Sequence, residues 1–440
     1  MYSLVEQHLN CNKKIKINFN GGDLSSDAGL FLIKEFSHKI GFEKLIKQKF
    51  KTTDKSNRFH TDDKNLCQKL YQIIAGYFSD DDSDELTNEP VLNAILNKEG
   101  LASQPTMSRF FNRMDEDTMA QFEVINQDLR QRIYSISNPE MVLLDLDSTL
   151  LSTYGKQEGE GFNFHYSSNG YHPLVCYDGL NGDLLKIQLR EGTAYSSTGV
   201  VDFLQPLLDE YQANYENTKL YLRGDSGFAV PALFEQAEHN SCSYAIRLKA
   251  NKNLYRAVKY VEAELDYVTK TNKVDYAVCF GEFMYQAKSW SYPRRVICKV
   301  EKPYNQFTYM YTFIVTNMDI EPYQLIQFYC NRGRMENFIK ESKSGFNFDS
   351  MSSHTKIVNE NRLQLNMLAY NLFNWFKRLV LPAKMRKMQI DTIRLKLIKI
   401  AAKVIRSARY ITFKLCSSCP YQEEFYETLD NIRRLSPKLE

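Results

Sequence analysis

Leu143-Leu144-Asp145-Leu146-Asp147-Ser148-Thr149 is the stretch that decides the fold. An apolar run with carboxylates at alternate positions has the period of a strand, and Asp145 and Asp147 then share one face. Two like charges at the end of an apolar strand are unfavourable unless a cation or a bound proton stabilises them. The competing reading is a pair of capping or surface acids. Downstream, strands are expected over 174–177 and 184–189, joined by Asp178-Gly179-Leu180-Asn181-Gly182-Asp183, a hairpin signature. A helix over 200–211, a strand over 220–222, a helix over 231–239 and a strand over 244–248 complete the order β-β-β-α-β-α-β. That order predicts a mixed α/β sheet.

On either side the character differs. Residues 1–140 read mostly as helices. One starts at Ser25/Ser26–Asp27 with Leu30, Leu32, Ile33 and Phe36 at helical spacing, and another covers 65–78. Asp80, Asp81, Asp82, Asp84 and Glu85 lack the glycine and spacing of a calcium loop and read as a solvated turn. Ser103-Gln104-Pro105-Thr106 introduces a short helix with Arg109 and Arg113. Residues 251–310 are aromatic and β-prone, an inserted β-rich module, and 311–315 reads as a strand returning to the sheet. A long helix from Pro322 to near Gly345 and an aromatic helix over 361–380 follow. At ~150 residues per domain, 440 residues suggest about three domains.

Composition excludes several classes. Hydrophobic residues make up 43% and charged residues 25%, the balance of a chain able to bury several cores. No apolar run approaches the ~18 residues of a membrane span, and residues 1–14 lack a secretory leader pattern. Nine scattered cysteines suit reduced thiols in a cytoplasm; Cys416 and Cys419 are either partly buried thiols or half of a zinc site. The net charge is only +3, yet residues 377–414 hold twelve Lys or Arg and one acid, Asp391. Lys396, Lys399, Lys403 and Arg406 fall on one helical face, which predicts a helix that follows a DNA backbone. A solvated face and a membrane-surface helix are the alternatives.

Two further motifs carry chemistry. Tyr221-Leu222-Arg223-Gly224-Asp225-Ser226-Gly227 ends a strand in a glycine-flanked Asp, where ligand sites collect in α/β sheets. Tyr329, Arg332, Glu336 and Lys343 are spaced to line one helix face, and Gly333 within that helix calls for a packing or close-approach reason. Carboxylates from three distant positions suit two divalent ions ~3.5–4 Å apart, Mg²⁺ or Mn²⁺, which activate a nucleophile and stabilise a leaving oxygen.

Together Asp147, Asp225 and Glu336 resemble the DDE triad of bacterial insertion-sequence transposases. Tyr329-x2-Arg332-x3-Glu336-x6-Lys343 is similar to the Tyr-Arg-Glu-Lys signature of one large group of them. Ser26-Asp27-Ala28-Gly29-Leu30, Leu101–Thr106 and Gly170–Leu174 resemble one subfamily. The resemblance implies an RNase H-like mixed sheet flanked by helices, interrupted by a β-rich insertion, with helical N- and C-terminal regions. It implies a helical DNA-binding region at 1–140, the core at 141–250 and 311–382, the insertion at 251–310 and a basic helical region at 383–440. The expected activity is cut-and-paste: cleavage of transposon ends and joining of the 3′-hydroxyls to target DNA, with two Mg²⁺ or Mn²⁺ ions per site. Double-stranded DNA, as terminal inverted repeats and as target, is the implied partner, with a homodimer on paired ends in the cytoplasm and nucleoid. Asp147 is the implied first acid because small hydroxyl residues follow it; Asp145 is the alternative. Tyr329, Arg332 and Lys343 would contact DNA phosphates. Trp290, beside Arg294 and Arg295, would stack on a flipped base or belong to the module's core. A haloacid-dehalogenase-like phosphatase using Asp145 and Asp147, and a non-catalytic DNA-binding protein derived from a transposase, are the rival readings.

Overall fold

Eight strands, numbered β1 to β8 in chain order, build the large sheet: β1 Met141–Ser148, β2 Leu174–Asp178, β3 Leu184–Gln188, β4 Lys219–Gly224, β5 Ser243–Leu248, β6 Ala277–Tyr285, β7 Arg294–Lys302 and β8 Met310–Thr316. Their spatial order is β6-β7-β8-β5-β4-β1-β2-β3. β1, β4 and β5 run parallel, β2 and β3 add antiparallel on one side, and β8, β7 and β6 add antiparallel on the other. In β1 residues 142–146 are all buried, as expected of a central strand covered on both faces. The architecture is therefore mixed α/β, with helices flanking a large mixed sheet.

In this computed structural model, which describes residues 6–438 except 55, 57, 305 and 307, the chain divides into two compact units. The large sheet belongs to the unit made of Asn138–Ser342 and Phe348–Glu360; the other comprises Met1–Ser137, Lys343–Asn347 and Asn361–Glu440. Residues 1–5, the start of the stretch read for a leader, lie outside the described residues.

Helices cover the sheet: α1 Val200–Asn214, α2 Pro231–His239, α3 Lys252–Ala257, α4 Lys259–Asn272 and α5 Pro322–Cys330. Residues 251–310, read as β-rich, thus open with two helices. Leu254, Val258, Val261 and Leu265 recur at helical spacing and are buried. The β6–β7 hairpin then continues the same sheet through β8. α4 and α5 lie on opposite faces of it. Gly281 of β6 sits beneath α4, where a Cβ would come within 2.5 Å of Tyr260 and Val261. Ala245, Ile297 and Ile314 point the other way and pack with Leu325, Ile326 and Tyr329 of α5.

The long helix expected from Pro322 is broken. α5 stops at Cys330 and α6 runs Gly333–Phe346, joined by a tight turn in which the Arg332 N–H donates to the Tyr329 carbonyl at 3.0 Å. Gly333 has open space where a Cβ would stand, so it marks a helix boundary rather than a close approach.

In the other unit the helical reading of the N-terminal region holds for Leu30–Lys39, Asp62–Ala75 and Gln104–Phe111, with Leu66, Leu70, Ile73 and Ile74 buried. Asp80 is not a solvated acid: Arg362 at 2.6 Å and Lys69 at 2.9 Å hold it. The basic helix carrying Lys396, Lys399, Lys403 and Arg406 is absent. Ile390–Ile393 and Arg394–Ile398 form short helical turns, and Ala402–Arg406 and Ile411–Leu415 are strands that form a three-stranded sheet with Leu24–Ser25. The helix cannot continue because the Ile398 and Ile400 carbonyls accept from the Gly29 and Ala28 N–H groups, both at 3.1 Å. β-branched Val404, Ile405, Ile411 and Thr412 then favour strands. Among the described residues no helix is long and apolar enough to cross a membrane.

Candidate active site

The parallel pairing of β1 and β4 sets Arg223 directly beside Asp145. Arg223 Nε and Nη2 each donate to an Asp145 oxygen at 2.6 Å, and Nη1 donates to the Phe328 carbonyl. Both side chains are sealed, at 1% and 0% exposure. A carboxylate with both oxygens taken and no solvent access cannot act as a nucleophile. The sealed pair speaks against Asp145 as the first acid and against the phosphatase reading.

Two residues further along the same face, Asp147 reaches the end of the strand. Its Oδ1 accepts from the Ser148 N–H at 2.9 Å, and Arg332 Nη2 approaches Oδ2 at 3.0 Å. Asp225 follows β4 immediately and accepts from the Gly227 N–H at 2.8 Å, closing a tight turn. The two acids line one cavity of about 500 Å³ with Tyr166, His172, Ser196 and the exposed rings of Phe162 and Phe164. Burial, with Asp225 and Asp145 nearby, raises the Asp147 carboxyl above its ordinary value, against the pull of Arg332. Burial and the same pair Asp147 and Asp225 raise the Tyr166 phenol.

Glu336 is placed differently. It is exposed on the first turn of α6 and does not line the cavity. Among the described residues no three His, Cys, Asp or Glu side chains converge as a metal-binding group. At the helix break Arg332 points inward, where Nη2 also donates to the Leu146 carbonyl at 3.1 Å. Tyr329, buried at the end of α5, has its phenol raised chiefly by burial. Lys343 lies two turns beyond Glu336 on α6, in the stretch that belongs to the other unit. Asp147 and Asp225 are the two acids that share the cavity. Paired carboxylates beside an accessible cavity fit an oxygen-ligated divalent ion such as Mg²⁺ or Mn²⁺.

Sequence reading missed the cavity's wall. Arg190, raised on no motif, holds it: Nε donates to the His172 carbonyl at 2.9 Å, and Nη1 donates to the carbonyls of Tyr195, Ser196 and Thr198. Burial pulls Arg190 down to about 10. His172 Nδ1 lies 2.7 Å from the Ala194 carbonyl, and burial lowers its pKa, which favours a neutral ring. No spacing rule connects 166, 172, 190 and 225, so only the fold brings them together.

The expected DNA-contact residues divide sharply. Trp290 is 7% exposed, packed against Phe234 and Tyr285 at 5.4 Å each, so it serves the core rather than stacking on a base. Arg294 is buried in a two-bond pair with Glu238, and Arg295 is held by Glu282 and the Met318 carbonyl. In the other unit Lys399 pairs with Asp27 at 2.6 Å and Lys396 lies over the Tyr421 ring, whereas Lys403 and Arg406 are exposed.

A family model described as transposase DDE domain group 1 matches residues 7–437. No curated protein matches the chain. Among solved structures, a piggyBac transposase synaptic complex with hairpin DNA aligns over 85% of this chain and 80% of its own, at 12% identity and a TM-score of 0.46.

Proposed function

The chain belongs to the transposase DDE domain group 1 family, and on that premise we propose that it cleaves the ends of a bacterial insertion sequence and joins the freed 3′-hydroxyls to target DNA. The observation that carries this reading is the meeting of Asp147 and Asp225 at the ends of neighbouring parallel strands beside an open cavity. The order β3-β2-β1-β4-β5, with only β2 antiparallel to its neighbours, supports an RNase H-like core.

Asp147 and Asp225 are the residues that would hold a divalent ion, with Glu336 as the proposed third acid. When bound, Mg²⁺ or Mn²⁺ ions, two per site in the full reading, activate the attacking oxygen and stabilise the leaving one. The protein's own part is positional. Arg332 presents a guanidinium beside Asp147, suited to orienting a scissile phosphate. Tyr329 lies close behind it, and Lys343 would contact the DNA backbone further along α6. Residues 1–140 serve as a DNA-binding region, 141–250 and 311–382 as the core, 251–310 as an insertion and 383–440 as a basic arm. Two copies on paired ends, working in the cytoplasm on the nucleoid, complete the proposal.

Purified protein, given Mg²⁺ and the DNA flanking its own reading frame, is expected to nick at the element boundary. Asp225→Asn should abolish nicking while keeping DNA binding, and full cleavage by that variant would overturn the site. Glu336→Gln should behave likewise; undiminished cleavage removes Glu336 alone from the triad.

A further inference from the structure

Strand pairing leaves the basic arm with an uncompensated face. In the three-stranded sheet Ala402 and Val404 are buried, and Phe413 of the neighbouring strand packs edge-on against Phe31 at 4.7 Å. The opposite face, with Lys403, Ile405, Thr412 and Lys414, is exposed. The register sets Lys403 directly opposite Lys414 and Ile405 opposite Thr412. Like charges facing one another across an antiparallel pair repel. Among the described residues neither ammonium has a carboxylate within ion-pair distance. The turn between the strands is closed by its own atoms: the Ser407 and Tyr410 N–H groups donate to the Tyr410 carbonyl and the Ser407 hydroxyl, at 2.9 and 3.1 Å. Arg409 and Tyr410 are left in solvent, and the exposed Arg406 is only 3.9 Å from an equally exposed Asp23.

A hairpin of this shape fits one occupant. Two strands lie ~4.8 Å apart, so a ribbon with its side chains fills the ~12 Å major groove of B-DNA. The lysine pair is stabilised where phosphates or guanine edges replace the missing carboxylates. We propose that the 402–415 hairpin enters the major groove of duplex DNA with its Lys403–Lys414 face inward, while Arg406 and Arg409 take flanking phosphates. This rests on the transposase reading and changes the contact set within it. Lys396 and Lys399 leave the interface, because Tyr421 and Asp27 engage them, and Arg409 and Lys414 join it.

The test uses the full-length protein and duplex DNA carrying the element end, titrated by fluorescence anisotropy from low to moderate salt. Lys403→Ala with Lys414→Ala should weaken binding on the order of tenfold and lower the salt slope by about two. Lys403→Arg with Lys414→Arg should restore both, and a thermal midpoint no lower than that of the wild type should accompany each pair. The wild type should shield guanine N7 from dimethyl sulfate, and the alanine pair should not. Unchanged affinity and slope in the alanine pair would overturn the proposal, as would wild-type binding that leaves N7 reactive. So would a loss confined to anionic phospholipid vesicles, which would move the hairpin to a membrane surface. Asp225→Asn separates the two readings. If wild type and Asp225→Asn both bind through the hairpin and neither nicks with Mg²⁺, the catalytic reading falls and the hairpin stands. If nicking proceeds normally in the alanine pair with wild-type affinity, the reverse holds.

Discussion

Two aspartate–arginine pairs lie on one face of one strand, two residues apart, and they have opposite characters. Asp145 gives both oxygens to Arg223 at 2.6 Å, with neither side chain reaching solvent. Asp147 meets Arg332 through one contact at 3.0 Å, and both side chains keep 16–18% exposure beside a cavity that also holds Asp225. The residue types are the same; position along the strand separates them. Within the sheet the partner is a neighbouring strand held in register, and the pair is rigid. At the strand's end the partner comes from a turn between two helices, so the carboxylate keeps capacity for a ligand. Room for a ligand is left where the packing is incomplete.

The contrast is most strongly broken by Arg223→Met, which strands a buried carboxylate. A loss of about 3–5 kcal/mol of unfolding free energy is expected in urea titration; a loss below 1 kcal/mol would show that the sealed pair is dispensable. Gly179→Ala tests the seal more gently. Its Cβ would lie 2.2 Å from Asp145 Oδ2, and the resulting overpacking should cost about 1–3 kcal/mol by the same measurement. A neutral outcome would mean that the Asp145 carboxylate yields readily.

The smallest effect sharpens the comparison at Asp147. Its carboxyl is raised above the ordinary 3.8, so the folded state holds that proton more tightly than the unfolded state does. The stabilisation this provides is present below 3.8 and is lost as pH rises through the raised folded value. Asp147→Asn should therefore flatten the decline of stability with pH through that range. Parallel pH profiles for wild type and variant would show that Asp147 titrates normally.

The sheet was legible because its strands are short apolar runs bounded by Gly and Asp, from 143–149 to 244–248. The break at Asn331–Arg332 was not. Helical periodicity runs straight through it, and the reason for the break, an arginine drawn to Asp147 from a distant strand, is tertiary. At 396–406 the basic residues recur at three and four, which imitates a helix. The β-branched residues around Ser407–Tyr410 were the contrary signal. The strand-end positions of Asp147 and Asp225 were legible because such acids follow a local rule; the places of Tyr166 and Arg190 beside the same cavity follow none. Trp290 illustrates the limit of motif reading, since a tryptophan beside two arginines describes a buried cation–π cluster as well as a DNA contact.

The pairing of β1 with β4 joins residues separated by 78 positions, with β2, β3 and α1 formed between them. Parallel strands joined through so long a crossover form slowly, because loop closure precedes any gain from contact. On the ribosome, β1 emerges well before β4, with Asp145 and Asp147 still lacking their arginine partners. The acid pair therefore cannot exist on a nascent chain until the segment through Asp225 has emerged and docked. Strand order thus acts as a clock that keeps the paired acids from assembling before the core that supports them.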